Sequence, residues 1–446
     1  MRALLRALLL MWVSATCLAA QEHPRADDAK ALLLEVRKKV MLTVDRLPKY
    51  MCTETIDRST FRPEAKVFGR SCDDLASRRK KKDWRIRKDT SDRLRLDVAV
   101  SSDSEMYSWA GEDRFQDRSL ADLVQRGATS TGAFSAFLTT VFGTSSADFT
   151  YNGDVKAGGP ALSEFGFRVP FEKSRYSIGN KLGRDIVAYD GTFLVDPSTV
   201  DLVRLSVRAD GLPAELKACE AITTLDYGRV RLNNTEFLLP SDVSLQIVYA
   251  DGGESENRTV FSGCHEFLGE SSLNFDTPSP AGLASAQKTV VEGLHVPGGL
   301  PFRIALTHAI DTATAAAGDP VKAELAAPIK EMHGGVLVPK GAAVTGRIVQ
   351  IKRFYGSVSE SLTLAFKLES IEANGMPRPF SAKLESLAKR SIDSSDALVV
   401  RQSLGTFDQM FDRDDPSVGV LEFQDVTQNY IIKRGVELDG ITTAQK

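Results

Sequence analysis

Residues suited to acid–base or metal chemistry are sparse in this chain. Histidines stand at positions 23, 265, 295, 308 and 333. His295, His308 and His333 have no second histidine or cysteine two or four residues away, so none pairs with another imidazole or thiol on one strand or helix face. His333-Gly334-Gly335 has the composition of an esterase oxyanion loop, but no G-x-S-x-G nucleophile elbow accompanies it, so a tight turn is expected there. The spacing S-x-x-K occurs at Ser77/Lys80, Ser285/Lys288 and Ser386/Lys389, without the K-T-G or S-D-N motifs that complete such a site. No Walker A loop and no strand–G-x-G-x-x-G–helix unit is present. The expectation is a non-catalytic protein with no metal and no cofactor.

The cysteines carry more information. Arg2 and Arg6 precede an uncharged stretch from Ala7 to Val13, and small residues close it at Cys17-Leu18-Ala19-Ala20. This is the pattern of a secretory signal peptide over residues 1–20. Ser14 and Thr16 stand where a lipoprotein signal prefers Leu and Gly or Ala, so lipid attachment at Cys17 is not expected. The localisation read from this is exported, in the periplasm or associated with an outer membrane. Cys52, Cys72, Cys219 and Cys264 then remain, enough for two disulfides in an oxidising compartment. Three pairings are possible. Sequence order favours Cys52–Cys72 and Cys219–Cys264, each joining neighbouring strands. A four-thiol metal site lacks any C-x-x-C spacing.

Two further clusters stand out. Arg78, Arg79, Lys80, Lys81 and Lys82 run into Trp84, Arg85, Arg87 and Lys88. From Arg58 to Arg95 there are 14 basic and 6 acidic residues, a local +8 in a chain of formal charge −3. The segment reads either as a solvated, charge-protected hairpin or as a patch facing phospholipid headgroups, lipopolysaccharide or an acidic partner. Export argues against nucleic acid. The second cluster is aromatic: Phe134, Phe137, Phe142, Phe165, Phe167 and Phe171. These rings either pack helix on sheet or border a cavity for acyl chains.

The elements that would position these groups follow from periodicity. Of the 446 residues, 42% are hydrophobic and 26% charged, ordinary for a globular chain with room for more than one domain. Without Arg2 and Arg6, 54 basic residues face 59 acidic ones, a mature charge of −5 with no global attraction to nucleic acid. Leu33, Val36, Val40, Val44 and Leu47 recur at helical spacing and predict a helix over 27–47. Leu94, Leu96, Val98 and Val100 alternate as a strand, and short helices are expected near Leu120–Val124 and Phe134–Phe142. From Ser163 to Phe267 the period is two almost throughout, with hairpin turns expected at Asp190-Gly191, Asn233-Asn234 and Asp251-Gly252-Gly253. Residues 276–300 turn to Pro, Ser, Ala and Gly and read as a linker. Short strands resume beyond it, with a turn at Asn374-Gly375, and Gly419–Gln424 and Asn429–Arg434 are read as the last two strands. The fold class is mainly β (α+β). Residues 21–275 form a curved antiparallel sheet cupping helices, and residues 301–446 form a small antiparallel β-barrel.

Two resemblances sharpen this picture. Leu47-Pro48-Lys49-Tyr50-Met51-Cys52, the Gly132–Phe142 helix, Phe237-Leu238-Leu239-Pro240, and Cys264-His265-Glu266-Phe267 running to Phe275 resemble a family of exported, largely uncharacterised proteins common in acidobacteria. The inferred shape is similar to the lipoprotein-carrier fold of the LolA/LolB group. That implies an apolar cavity for acyl chains or a partner's tail. Gly318-Asp319-Pro320-Val321, Gly335-Val336-Leu337-Val338-Pro339-Lys340-Gly341 and Gly346-Arg347-Ile348 resemble the β-barrel of the TrbI-like component of type IV secretion and conjugation channels. The membrane helix and helical insertion of that family have no counterpart here. The expected function is an envelope protein that binds a hydrophobic or lipidated ligand, or a partner segment, on a Phe-lined face. Lipid, lipoprotein or envelope protein would be its partner, with peripheral contact to an anionic membrane surface. The alternatives are a structural component of an envelope or secretion assembly and, more distantly, a hydrolase.

Overall fold

The structure is a computed structural model that describes residues 26–64, 71–81, 85–101, 104–112, 115, 120–124, 127–143, 147–156, 159–180, 183–266, 296–331, 334–387, 400–401, 415–424 and 429–444. The signal segment 1–20, His23, Lys82, Trp84, residues 276–295 of the expected linker and His333 lie outside the described residues. A long helix, α1 (Ala26–Arg46), comes first, with Asp27 and Asp28 in its first turn and Arg46 in its last, the charge order its dipole favours. It buries Ala29, Val36 and Val40 on one stripe.

Next come β1 (Tyr50–Pro63), α2 (Cys72–Lys80), β2 (Ile86–Ser101), β3 (Ser104–Trp109), α3 (Leu120–Leu123) and α4 (Ala136–Phe142). They are followed by β4 (Asp148–Lys156), β5 (Ala161–Val169), a small hairpin of β6 (Ser177–Asn180) and β7 (Gly183–Ile186), β8 (Ala188–Asp196), β9 (Asp201–Asp210), β10 (Ala218–Leu232), β11 (Thr235–Tyr249) and β12 (Glu254–Glu266). The long strands pair antiparallel in the order β4-β5-β8-β9-β10-β11-β12-β1-β2-β3. Most neighbours are sequential, but β12 pairs with β1, the last strand of this ladder with the first. Helices α1 and α4 cover one face, where Val36, Val40, Val141 and Phe142 pack with Phe165, Phe193 and Leu205. Among the described residues no helix is long and apolar enough to cross a membrane.

The second half contains β13 (Pro301–Leu306), β14 (Ile310–Asp311), β15 (Pro320–Leu325), β16 (Ile329–Lys330), β17 (Val336–Val338), β18 (Ala343–Tyr355), β19 (Glu360–Ala373), β20 (Met376–Pro379), β21 (Ala382–Leu387), β22 (Val400–Arg401), β23 (Val418–Gln424), β24 (Ile431–Ile432) and β25 (Glu437–Thr442). Its main ladder runs β21-β25-β13-β15-β18-β19-β23. The two ends come together at Gly419, where an added Cβ would lie 2.5 Å from the backbone nitrogen of Leu384. The curled ladder encloses Phe302, Ile304, Leu364, Phe366, Leu421 and Phe423. Val296 and Leu300 join this core, so residues 296–300 of the expected linker are packed chain.

The two halves share strand β2. One of its edges carries β1 along its length. The other is divided: Leu96–Ser101 pairs with β3, Arg93 and Arg95 exchange backbone hydrogen bonds with Ala317, and Thr90–Asp92 pairs with β18. Side chains reinforce the seam. Arg95 pairs with Asp319, and Arg347, nearly buried, donates to the carbonyls of Ala110 and Gly318. Beside the seam, Arg58 and Asp92 form a buried bidentate ion pair with both bonds at 2.7 Å.

The turns expected at Asn233-Asn234, Asp251-Gly252-Gly253 and Asn374-Gly375 are present, with Asn233, Asn374 and Gly375 at positive φ. Three expectations are corrected. Asp190-Gly191 is not a turn: both residues lie inside β8, paired with Arg168 and Phe167 of β5. A Cβ at Gly191 would come within 2.9 Å of the Phe167 ring, so the glycine makes room for that ring. Asn429–Arg434 contributes only Ile431–Ile432 as strand, and the closing strand is Glu437–Thr442. Gly440 interrupts its apolar alternation because a Cβ there would lie 2.6 Å from the Phe302 ring.

The third correction concerns the disulfides, which are Cys52–Cys264 and Cys72–Cys219. Cys72 opens a helix rather than a neighbouring strand, and the β1–β12 register sets Thr53 opposite Ser262, carrying Cys52 to Cys264. The bridges close sequence separations of 212 and 147 residues. Peptide mapping without reductant is expected to recover the 52–264 and 72–219 crosslinks and none between Cys52 and Cys72. Replacing Cys52 and Cys264 by Ser is expected to lower the unfolding free energy by about 5 kcal/mol on loop-entropy grounds, read by chemical denaturation. A loss below about 1 kcal/mol would show that the β1–β12 closure holds without its bridge.

Candidate functional site

The six phenylalanines expected on a concave face do not share one environment. Phe165 stacks on Phe193 across the β5–β8 pair, with ring centroids 5.2 Å apart. Phe142 meets Phe193 edge-on at 5.0 Å, and Phe137 meets Tyr176 at 5.2 Å. Phe167 lies in the same core. Phe134 belongs to a second cluster beside Tyr50 and Phe261. These five rings are buried, and α1 lies over those of β5. Phe171 is 58% exposed, because the strand ends at Val169 and Phe171 starts a 3₁₀ turn, Phe171–Lys173.

That turn borders an open cleft of about 990 Å³ on the outer side of α1 and α4. Leu34 and Met41 of α1 and Phe142 of α4 supply apolar lining. Arg37, Lys38, Lys173 and Arg175 supply cations, with Glu172 the one acidic residue among the lining groups. Arg37 is engaged: its guanidinium donates to the carbonyls of Phe142 and Gly143 at the C-terminus of α4 and lies 5.3 Å from the Phe149 ring centroid. Lys38, Lys173 and Arg175 are exposed at the rim. Ser174 fixes the turn by donating to the Val187 carbonyl at 2.6 Å. Thr139 and Thr140 return their hydroxyls to their own helix. Of the phenylalanines singled out from sequence, only Phe142 lines this cleft. The signal that could have located it was Leu34, a large apolar residue off the buried stripe of α1 and 58% exposed.

The basic segment is divided among elements. Arg78, Arg79 and Lys80 form the last turn of α2, and Lys81 caps it. Arg78 pairs with Asp74 one turn back. Arg79 bridges Glu220 and Glu254 at 2.9 and 3.2 Å. Lys88 sits 5.1 Å from the Tyr355 ring centroid. Lys80, Lys81 and Arg85 are exposed, and Arg87 is half-buried on β2. Elsewhere, His265 Nδ1 lies 2.8 Å from the Gly263 carbonyl at the exposed end of β12, and His308 contacts Thr307.

No family model and no curated protein matches the chain. Among solved structures, a DUF1329 family protein from Desulfovibrio piger is similar at 11% identity and a TM-score of 0.26, over 54% of this chain and 94% of that one. The LolA superfamily protein NE2245 from Nitrosomonas europaea is similar at 9% identity and a TM-score of 0.24, over 52% of this chain and 94% of that one. Likeness this slight assigns neither a site nor an activity to the chain, so the geometry carries the reading.

A polar group also lies inside the sheet's concave side. Glu54 of β1 is buried, and its Oε2 has no hydrogen-bond partner among the described residues. Glu105 stands near it and accepts from Tyr107 Oη at 2.7 Å and from the backbone nitrogens of Gly132 and Phe134 at 2.8 and 3.4 Å. Glu105 thereby holds the loop that leads into α4. Burial first, and the Glu105 charge second, push the Glu54 carboxyl up to about 8. The folded chain keeps this proton where the unfolded chain, near the ordinary carboxyl value of 4.5, has lost it. Stability from this group is therefore complete below about pH 4.5 and is lost as pH rises towards 8. Glu54→Gln is expected to unfold at the same temperature as the parent near pH 4 and at a higher one near pH 8, a gain on the order of 5 kcal/mol. Thermal melts across this range are the measurement. Parallel pH profiles for the two proteins would refute the assignment.

Proposed function

We propose that this chain is a non-catalytic, exported binding protein for an amphipathic anionic ligand, a long acyl chain with a charged head. The observation that carries the reading is the cleft of about 990 Å³ with Leu34, Met41 and Phe142 in its wall and exposed cations at its rim. Its volume suits a ligand with a long chain. The acyl chain gains by leaving water against the apolar wall, and Lys38, Lys173 and Arg175 meet the head. The hydrophobic or lipidated ligand expected from sequence is narrowed here to an anionic amphipath, and its proposed seat moves from the Phe face to the outer side of α1 and α4. The Phe face is occupied by α1 and by its own rings, so a ligand there would have to displace that helix. The two disulfides fit an oxidising, extracytoplasmic compartment. The second half is assigned a scaffold or interaction role, as its resemblance to TrbI-like barrels implies.

A second reading, a component of an envelope assembly, is favoured by β4. That strand pairs only with β5 among the described residues, and its residues alternate between exposed and half-exposed along Asp148–Lys156. Such an edge can accept a partner's extended segment.

Native mass spectrometry and solvent extraction of the purified protein are expected to recover a bound anionic lipid. A fluorescent long-chain fatty acid is expected to bind, and Leu34→Trp with Met41→Trp is expected to abolish binding by filling the cleft while the thermal midpoint stays within a few degrees of the parent. Lys38→Glu with Arg175→Glu is expected to weaken binding by about tenfold or more. A lipid-free protein that ignores the fatty acid and co-purifies with a protein partner would favour the second reading instead.

A further inference from the structure

One end of the first ladder gathers the chain's densest positive charge, and the fold holds it rigidly. Helix α2 lies over this end, fixed by three devices. Cys72 at its start is bridged to Cys219 at the start of β10. Leu75 is buried to 1% exposure. Arg79 is clamped between Glu220 and Glu254. Ser71 caps the helix by accepting from the Asp74 nitrogen. Asp73, Ala76 and Ser77 are exposed nearer the start of this helix, and at its C-terminal end Lys80 and Lys81 face solvent. Four residues further on comes Arg85, within about 14 Å of Lys81 by chain length alone. Arg85 and Arg87 lie where β2 begins, with Arg87 opposite Arg62 of β1. Asp89 is taken up by Arg62 at 3.0 Å.

The second half adds an apolar element to this end. Strand β18 runs beside the start of β2, with Phe354 opposite Thr90, and Tyr355 bonds Ser91 and receives Lys88 on its ring. Three residues later, at the tip of the β18–β19 hairpin, Val358 is 97% exposed. The fold therefore sets a protruding aliphatic tip at the same end of the sheet as Lys80, Lys81, Arg85 and Arg87.

We propose that this end docks on an anionic lipid bilayer. An apolar tip and a set of exposed cations at one end of the sheet match an interface in which the tip enters the headgroup layer and the cations meet phosphates. A protein partner is favoured less, because the tip projects outward as a single fully exposed side chain. The surface is separate from the cleft lined by α1, α4 and the turn after β5, so the two assignments stand or fall independently.

The test is co-sedimentation of the full chain with vesicles of phosphatidylcholine alone and of phosphatidylcholine mixed with phosphatidylglycerol, at low and high salt. Binding is expected only to the mixed vesicles, and it should fall as salt rises. Each cation removed near the surface weakens partitioning by about fivefold. Lys80→Ala with Lys81→Ala should therefore lower it by about 25-fold. Val358→Asp should weaken it as well, whereas Lys340→Ala on an exposed turn of the second half should not. The Leu34→Trp/Met41→Trp protein should still bind vesicles, which separates surface docking from uptake of lipid by the cleft. Equal binding to both vesicle types, or binding indifferent to the Lys80/Lys81 change, would overturn the proposal. So would capture by an acidic polypeptide with no vesicle binding at all.

Discussion

A β-strand has two edges, and on β2 one of them is shared by three partners. Strand β3, the backbone of Ala317 and strand β18 follow one another along it. Buried amide groups must find partners, so each partner's place is fixed by the residues left to it by the other two. The second half thus meets the first through backbone hydrogen bonds as well as side chains. Arg347 and Arg95 extend this union from the barrel side and the sheet side respectively. The buried Arg58–Asp92 pair sits at the junction, since Asp92 also faces Lys352 of β18. An unpaired charge there would be costly, which couples the register of β1, β2 and β18.

The second organising fact is that aromatic packing closes the sheet's concave side. Phe165, Phe193 and Phe142 interlock beneath α1, and Tyr50, Phe134 and Phe261 do the same further along. With that face filled, the cleft lies where α1 and α4 face the turn after β5. There the short turn after β5 and the outer residues of α1 stand apart. Arg37 is central to this geometry: it ties α1 to the end of α4 and so fixes one wall of the cleft.

Much of the local structure was legible in the residues. Alternation located β2 and the strands between Ser163 and Phe267, the helical stripe located α1, and Asn-rich or Gly-rich pairs located three hairpins. What was illegible was mostly long-range. Gly191 looks like a turn residue but is a strand position crowded by the Ser206 carbonyl and the Phe167 ring, and Gly440 likewise makes room for Phe302. The disulfide pairing depends on β1 meeting β12, an event that no local pattern announces. The basic run looked continuous, yet tertiary partners claim Arg79 and Lys88 and leave Lys80 and Lys81 to solvent. The cleft was hidden for the same reason, being assembled from α1, α4 and a turn after β5.

The Cys52–Cys264 bridge has a topological meaning as well. It turns the intervening chain into a covalent ring, and Cys72–Cys219 draws a second ring inside it. A single cut in any loop between Cys52 and Cys264 leaves the two fragments tethered. The ring also has an order of assembly: it cannot close until the chain has been delivered as far as β12, so the outer bridge records completion of the whole ladder. The strand that begins the sheet therefore waits, unpaired on one side, for the strand that finishes it.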